Sequence, residues 1–594
     1  MKLNRKKNKK QSPKFVSIKQ RKYNSAPRME DFNSLMKKFN QGRFKEVERE
    51  ALLLSNQYPM YFFPWKMLGA ALVEQERNQE ALKILKRALK LNPDDFEIYN
   101  TMSSALQRLN KMEEALAGYD MALAIKPDYA EAHNNKGLVF HQLGKIKEAA
   151  KCYARALEIK PDYPVAHNNL GNALIYLGDL GKAQNSFKRA LSLKPDYASA
   201  YESLIELYEK TNQMEPLRQT LLNIKTTIPH HYCISYGEAL LLRNNNEYEK
   251  AIERIQTINA EAMTMTKQIN YYFFVAELHD RTTQYDKAFE YFSKANKLTA
   301  QMPMAQTVSK ARYVNFVDSL LHNFTENLVS GWNYSEVSSD CKAPVFILGF
   351  PRSGTTLLDT ILRSHPGVEV VEEKPAVDKI LHLLSQYPGD FLRVLSSVDE
   401  KARFDLAHAY FEELHKYVRD PNSLIIDKFP LNIVKAGIIK RIFPDARFIF
   451  AQRHPCDCVL SCFMQNFNLN DAMANFFEIE SAAILYGKVM TLWTQYCELL
   501  NLNVHNFVYE DLLTDFDGTI GSLLSFLNLN WDPALLNYRM TALKRGKINT
   551  PSYNQVTQPL YNHAKGRWEH YKEHMVSALP TLLPWAKKFG YKTE

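Results

Sequence analysis

Apolar positions follow two rhythms along these 594 residues. In the first half they recur at helical spacing, as in NNEYEKAIERI and TTQYDKAFEYFSKA, where a turn leads into an amphipathic stretch. From residue 344 they come as short continuous runs: PVFILGF at 344–350, LIID at 424–427, ARFIFAQ at 446–452 and NFVYED at 506–511. Short apolar runs alternating with helical stretches predict a buried parallel sheet, whose ligands gather at the carboxyl ends of the strands.

The helical half is periodic. Prolines stand at 59, 93, 127, 161, 195 and 229, a step of 34, and KPDY recurs at 126–129, 160–163 and 194–197. Alanines keep the same step at Ala81, Ala115, Ala149 and Ala183, and again at Ala88, Ala122, Ala156 and Ala190. So do turn residues that tolerate the left-handed conformation, Gly42, Asn110, Gly144, Gly178 and Asn212, with Glu76 the exception. This pattern resembles the tetratricopeptide repeat, with Trp65, Leu68, Gly69, Leu72, Ala81, Ala88 and Pro93 matching one unit. Six units span about 29–229, and two looser helical pairs extend the repeat domain over 29–300, followed by a helical linker at 301–342. The resemblance implies a superhelix whose concave face binds a protein or peptide. Asn100, Asn134 and Asn168 hold one position in consecutive repeats, so their amides either meet such a peptide or bond between repeats. The aromatic stretch YYFF at 271–274 reads as helix core.

Composition narrows the class. The net charge of +10 is concentrated in residues 1–28, a basic tail with 11 Lys or Arg and no acid, which leaves the rest of the chain close to neutral and nucleic acid an unexpected partner. The tail's apolar patch, Phe15, Val16 and Ile18, is too short for a secretion signal. No run approaches the length of a membrane span. Seven cysteines, an odd number scattered over the chain, suggest free thiols in a reducing compartment, and a cytoplasmic protein is expected.

The candidate chemistry lies at 343–594. PVFILGF runs into PRSGTT and then LLDTILRSH, which reads as strand, tight loop, helix. Such a loop aims backbone N–H groups and a helix dipole at an anion. The Gly349 to Gly354 spacing matches a nucleotide P-loop, but Thr355 stands where that motif requires Lys, and the cation is Arg352 inside the loop. Lys428 follows LIID, and Arg453 follows ARFIFAQ, with Ser461 eight residues on.

These residues resemble the sulfotransferases that use 3′-phosphoadenosine 5′-phosphosulfate, in particular the tyrosylprotein sulfotransferase-like branch. The match covers about 344–570 and includes SHPGVEVVEE, DKFP, VYEDL and TPSYNQV. The resemblance implies an α/β, P-loop-like domain with a parallel sheet behind the repeats, needing no metal. It implies that Arg352, Ser353, Gly354, Thr355 and Thr356 wrap the phosphosulfate, with Ser552 also touching it. It places Arg453 and Ser461 on the 3′-phosphate with Arg567 near it, and Tyr509 in the nucleotide pocket. Lys428 would neutralise the bridging oxygen, and Glu373, with Glu372 the alternative, would be the general base. Gln465 departs from relatives that carry a second Arg there.

Cys456, Cys458 and Cys462 lack a paired metal-binding spacing and read as helix packing, and His365 and His454 read as structural. The function expected is sulfuryl transfer to a hydroxyl, protein tyrosine in the simplest case, with the repeats recruiting the acceptor. The alternatives are a P-loop kinase or NTPase, and a repeat scaffold with an inactive sulfotransferase domain.

Overall fold

The computed structural model describes residues 28–332, 343–387, 391–545 and 565–593. It forms two compact units, one comprising the residues up to 207 with 222–231, the other 208–221 with 232 onward.

The first unit is a stack of antiparallel helix pairs, among them Phe62–Glu74 with Asn78–Leu91, Phe96–Arg108 with Met112–Ile125, Ala130–Gln142 with Ile146–Ile159, and Pro164–Leu177 with Leu180–Leu193. Both alanine columns are completely buried, because only a methyl group fits where paired helices approach. Gly137 shows how close that approach is: a Cβ there would lie 2.6 Å from Cε1 of Tyr153. Glu76, the residue that breaks the turn column, takes the same left-handed conformation (φ 61°) as Asn110 (φ 59°) and Gly144 (φ 73°). The turn geometry is therefore set by helix pairing, and Glu76 accepts the strain. The column even continues one step further, at Asn246 (φ 61°).

Two of the three ladder asparagines, Asn100 and Asn134, bond between repeats. Asn135 Nδ2 donates to Asn100 Oδ1 (3.2 Å), Asn169 Nδ2 donates to Asn134 Oδ1 (2.9 Å), and Asn134 and Asn168 are buried.

In the second unit, five parallel strands, β1 (Val345–Gly349), β2 (Val368–Glu372), β3 (Leu424–Lys428), β4 (Arg447–Gln452) and β5 (Asn503–Val508), lie in the order β2-β3-β1-β4-β5. Successive β1 side chains enter opposite cores: Phe346 and Leu348 pack with Trp493 and Tyr496, and Val345 and Ile347 with the helices Thr355–Leu362 and Phe516–Leu527. The order reverses at β1, the position where doubly wound sheets open a crevice for ligands.

Two elements differ from the sequence reading. SHPGVEVVEE was read as a motif without an element, and it supplies edge strand β2. NFVYED was read as one run, yet Tyr509 begins the helix Tyr509–Thr514, because β5 starts earlier, in the polar Asn503–Asn506 that an edge strand tolerates. Residues 301–332, read as part of a helical linker, include the helix Lys310–Asn323, and Val317, Leu320, Phe324 and Trp332 are buried in the same core as Phe346 and Phe448. Ala276, Ala288 and Phe292 of the late helical pairs join that core, and Tyr271, Tyr272 and Phe274 are buried as the aromatic stretch suggested. Among the described residues no helix is long and apolar enough to cross a membrane.

Candidate active site

The loop after β1 closes tightly. Gly349 abuts the carbonyl of Ala451, its paired residue on β4, where a Cβ would stand 2.6 Å from the oxygen. Gly354 (φ 95°) lies against Tyr509, 2.9 Å from a Cβ to the ring, and its carbonyl accepts the Leu358 N–H that starts the helix Thr355–Leu362. Both positions require glycine. Between them Arg352 is left-handed (φ 71°), a conformation that costs a non-glycine residue free energy and tends to be held at functional sites. The turn directs its Nε to Ser461 Oγ at 3.0 Å, while its carbonyl accepts from Nη1 of Arg453 at 3.1 Å. The three residues expected to hold two different anionic groups are thereby brought into one cluster. Arg453 is almost fully buried, with its guanidinium 5.2 Å from the centre of the Tyr509 ring. Burial opposes its charge, but Asp457 and Glu510 more than offset that.

Ser353, Thr355 and Thr356 are buried at the helix start, and the Ser353 hydroxyl has no hydrogen-bond partner there. An orphaned buried hydroxyl costs about 1–3 kcal/mol. At a helix N-terminus, beside an Arg, a phosphate or sulfate oxygen is the acceptor that removes this cost, so these residues fit a bound phosphosulfate.

At the ends of β2 and β3, Glu372 and Lys428 are register partners. Lys428 is completely buried, and its Nζ donates to Glu372 Oε1 at 3.0 Å and to Glu373 Oε1 at 2.9 Å. Burial alone would discharge the lysine, but Glu372, Glu373 and Asp359 hold its pKa above the ordinary value. Burial likewise opposes ionisation of Glu372, and Lys428 and Arg545 overcome it and keep this carboxyl below its usual range. Glu373 is left-handed (φ 50°), donates its own N–H to the Lys428 carbonyl at 2.8 Å, and is 30% exposed at its side chain against 8% for Glu372. Of the two carboxylates, Glu373 is the more exposed.

Sequence reasoning missed the support behind this pair. Arg545 reaches Glu372 Oε2 at 2.6 Å and approaches Asp359 Oδ2 at 3.6 Å, and Arg363 Nε donates to Asp359 Oδ1 at 2.9 Å. The Asp359–Arg363 pair is an i,i+4 contact within LLDTILR, but nothing in LKRGK signals the reach of Arg545, whose partners meet it only after β2 and two helices are placed. Asp457 was also missed: it accepts the N–H groups of Gly566 (2.8 Å) and Trp568 (2.9 Å). Arg567 lies between them, and its guanidinium is engaged by Asp280. Ser552 lies outside the described residues.

The remaining candidates behave as packing groups. His365 accepts the Gly367 N–H and meets the Asn530 carbonyl, and His454 accepts the Cys456 N–H and stacks on Trp568. Cys456, Cys458 and Cys462 are buried, with burial raising their thiol pKa values, that of Cys456 to about 12. Cys462 Sγ packs 3.4 Å from the Pro351 carbonyl, directly behind the loop. No disulfide joins the described cysteines. The Gln465 side-chain amide donates to the neighbouring Met464 carbonyl at 3.2 Å.

Comparison with known proteins agrees with this arrangement. Residues 344–533 match the model of the sulfotransferase family, and residues 63–105, 104–144, 137–175 and 164–197 match tetratricopeptide repeat models. An uncharacterized protein of Aquifex aeolicus is 26% identical over 58% of this chain and 45% of its own length. Protein-tyrosine sulfotransferase 1 of Danio rerio is 27% identical over 38% of this chain and 65% of its own length. The Drosophila melanogaster protein-tyrosine sulfotransferase is 25% identical over 42% and 51% respectively. The chain thus spans less than two thirds of the length of these relatives. Among solved structures, a tetratricopeptide repeat protein from Parabacteroides merdae matches 41% of this chain and 96% of its own at 17% identity, with a TM-score of 0.35. Tetratricopeptide repeats and a domain of the sulfotransferase family are therefore joined in this one chain.

Proposed function

We propose that this chain transfers a sulfuryl group from 3′-phosphoadenosine 5′-phosphosulfate to a hydroxyl acceptor, with a protein tyrosine as the acceptor and the repeats recruiting the protein that carries it. The observation that carries the reading is Lys428, fully buried and charged, held between Glu372 and Glu373 at the sheet's carboxyl edge. Burying an ammonium is costly, and two carboxylates fixed on it make a preorganised electrostatic site.

The donor supplies the sulfuryl group. The loop N–H groups, Arg352, Ser353, Thr355 and Thr356 bind its 5′ end, and Arg453 and Ser461 bind the 3′-phosphate. Sulfuryl transfer, like phosphoryl transfer, gains most from positioning and from stabilising spread negative charge. Lys428 neutralises the oxygen from which the group departs. Glu373 accepts the acceptor's proton at its carboxylate, a contribution of about 10²–10⁴-fold. Glu372, shared between Lys428 and Arg545, holds the lysine in place.

The test is incubation of the full chain with sulfate-labelled donor and a panel of tyrosine peptides and proteins, beside Lys428→Met. Label transferred to tyrosine by the wild type and lost in the variant is the expected result. Label on carbohydrate alone would overturn the tyrosine assignment, and labelling from ATP with magnesium would favour a kinase.

A further inference from the structure

Arg567 is held at both ends. Asp457, in the first turn of the helix Pro455–Phe463, grips the backbone on either side of it through Gly566 and Trp568. The His454 ring stacks on Trp568 at 5.1 Å, within 7° of parallel. The guanidinium is gripped from a different place: Asp280, near the end of the helix Met265–Arg281, accepts from Nε at 3.0 Å and from Nη2 at 2.7 Å. Asp280 is 2% exposed and also accepts the Tyr571 hydroxyl at 2.7 Å. This carboxylate occupies the Nε/Nη2 edge of the fork and leaves the Nη1 hydrogens for a second acceptor. The Asp457 and His454 contacts hold the Arg567 backbone against the turn that directly follows Arg453. Two arginines anchored on neighbouring segments need an anion, or carboxylates that make their approach tolerable.

We propose that Asp280 is a positioning residue for the donor site: it fixes Arg567 beside Arg453 so that both guanidinium groups meet the 3′-phosphate, making the late helical pair a part of the nucleotide site. This rests on the donor reading above. It gives the helices 265–301 a role in the chemistry that is separate from recruiting an acceptor, since a helix lost from this pair removes the carboxylate that orients a donor ligand.

Calorimetric titration of the full chain with adenosine 3′,5′-bisphosphate and with adenosine 5′-phosphate isolates the 3′-phosphate within each sample. The variants are Asp280→Asn, Arg567→Gln, the double variant, and Tyr571→Phe, which removes a hydroxyl from the same carboxylate but leaves the ion pair. Wild type should prefer the bisphosphate. Asp280→Asn should reduce that preference by about tenfold, as expected for one misaligned charge-assisted contact, with the double variant no worse than Arg567→Gln and Tyr571→Phe unchanged. A preference that survives in Asp280→Asn, whether or not the variant melts earlier, would overturn the positioning role and leave a structural ion pair. Wild type that binds both nucleotides equally, or neither, would instead overturn the donor reading itself.

Discussion

Arg352 Nε donates to the hydroxyl of Ser461 at 3.0 Å, tying the loop after β1 to the helix after β4. A hydroxyl that accepts from Arg352 still has its proton to give and a second lone pair. Ser461 can therefore donate to a phosphate oxygen while steadying Arg352, which the proposed function places at the opposite end of the donor.

Ser461→Ala should accordingly weaken two contacts. We expect affinity for 3′-phosphoadenosine 5′-phosphate to fall by about tenfold or more, the worth of a hydrogen bond to a charged group. A double-mutant cycle with Arg352→Ala should show coupling, because the two side chains touch. Additive losses would mean that the bond is incidental.

The two adjacent carboxylates should separate cleanly by variant. Glu373→Gln should lower single-turnover transfer by about 10²–10⁴-fold while nucleotide binding persists. Glu372→Gln removes a charge from a buried network and should cost about 3–5 kcal/mol of stability, read as a lower Tm. The reverse pattern would assign the base to Glu372.

Asp427 should make stability depend on pH. Burial raises its carboxyl to about 7, against which the Tyr410 hydroxyl bond at 2.9 Å works only in part. An acid whose folded pKa is raised binds a proton more tightly in the native state, so its contribution is full below the unfolded value of about 3.9 and is lost as pH rises through about 7. Asp427→Asn, which can still accept from Tyr410, should flatten the fall in Tm between about pH 4 and 7, the window between the unfolded and folded values. Glu372 acts with the opposite sign: its folded pKa is lowered, so its contribution holds above the ordinary carboxylate range and is lost on acidification through the depressed value. An unchanged pH profile in Asp427→Asn would contradict the buried acid.

Close helix pairing in the repeats is open to the same kind of test. Gly137→Ala places a methyl 2.6 Å from the Tyr153 ring and should destabilise the repeats by about 1–3 kcal/mol. A Tm equal to wild type would show that the ring moves aside freely.

The repeats were legible because a 34-residue step writes itself into alanine and proline columns. Strands β1, β3 and β4 were legible as continuous apolar runs, since a strand buried on both faces has no polar side. β2 was hidden because an edge strand that carries Glu369 and ends at Glu372 looks like a polar motif. In the candidate site, Arg352, Lys428 and Arg453 were legible from their places just after or at strand ends and Ser461 from its spacing to Arg453, whereas the different exposure of Glu372 and Glu373 was not. Asp280, Asp359, Asp457 and Arg545 were not legible, since each acts on a residue that only folding brings near. The orientation of the Asn100 and Asn134 amides needed the neighbouring Asn135 and Asn169.

The most direct test of the account is calorimetric titration of the full chain with 3′-phosphoadenosine 5′-phosphate in EDTA, beside Arg453→Ala and an ATP control. The account predicts binding by the wild type without metal, lost in Arg453→Ala and absent for ATP. No binding, or binding that prefers ATP and magnesium, would contradict it.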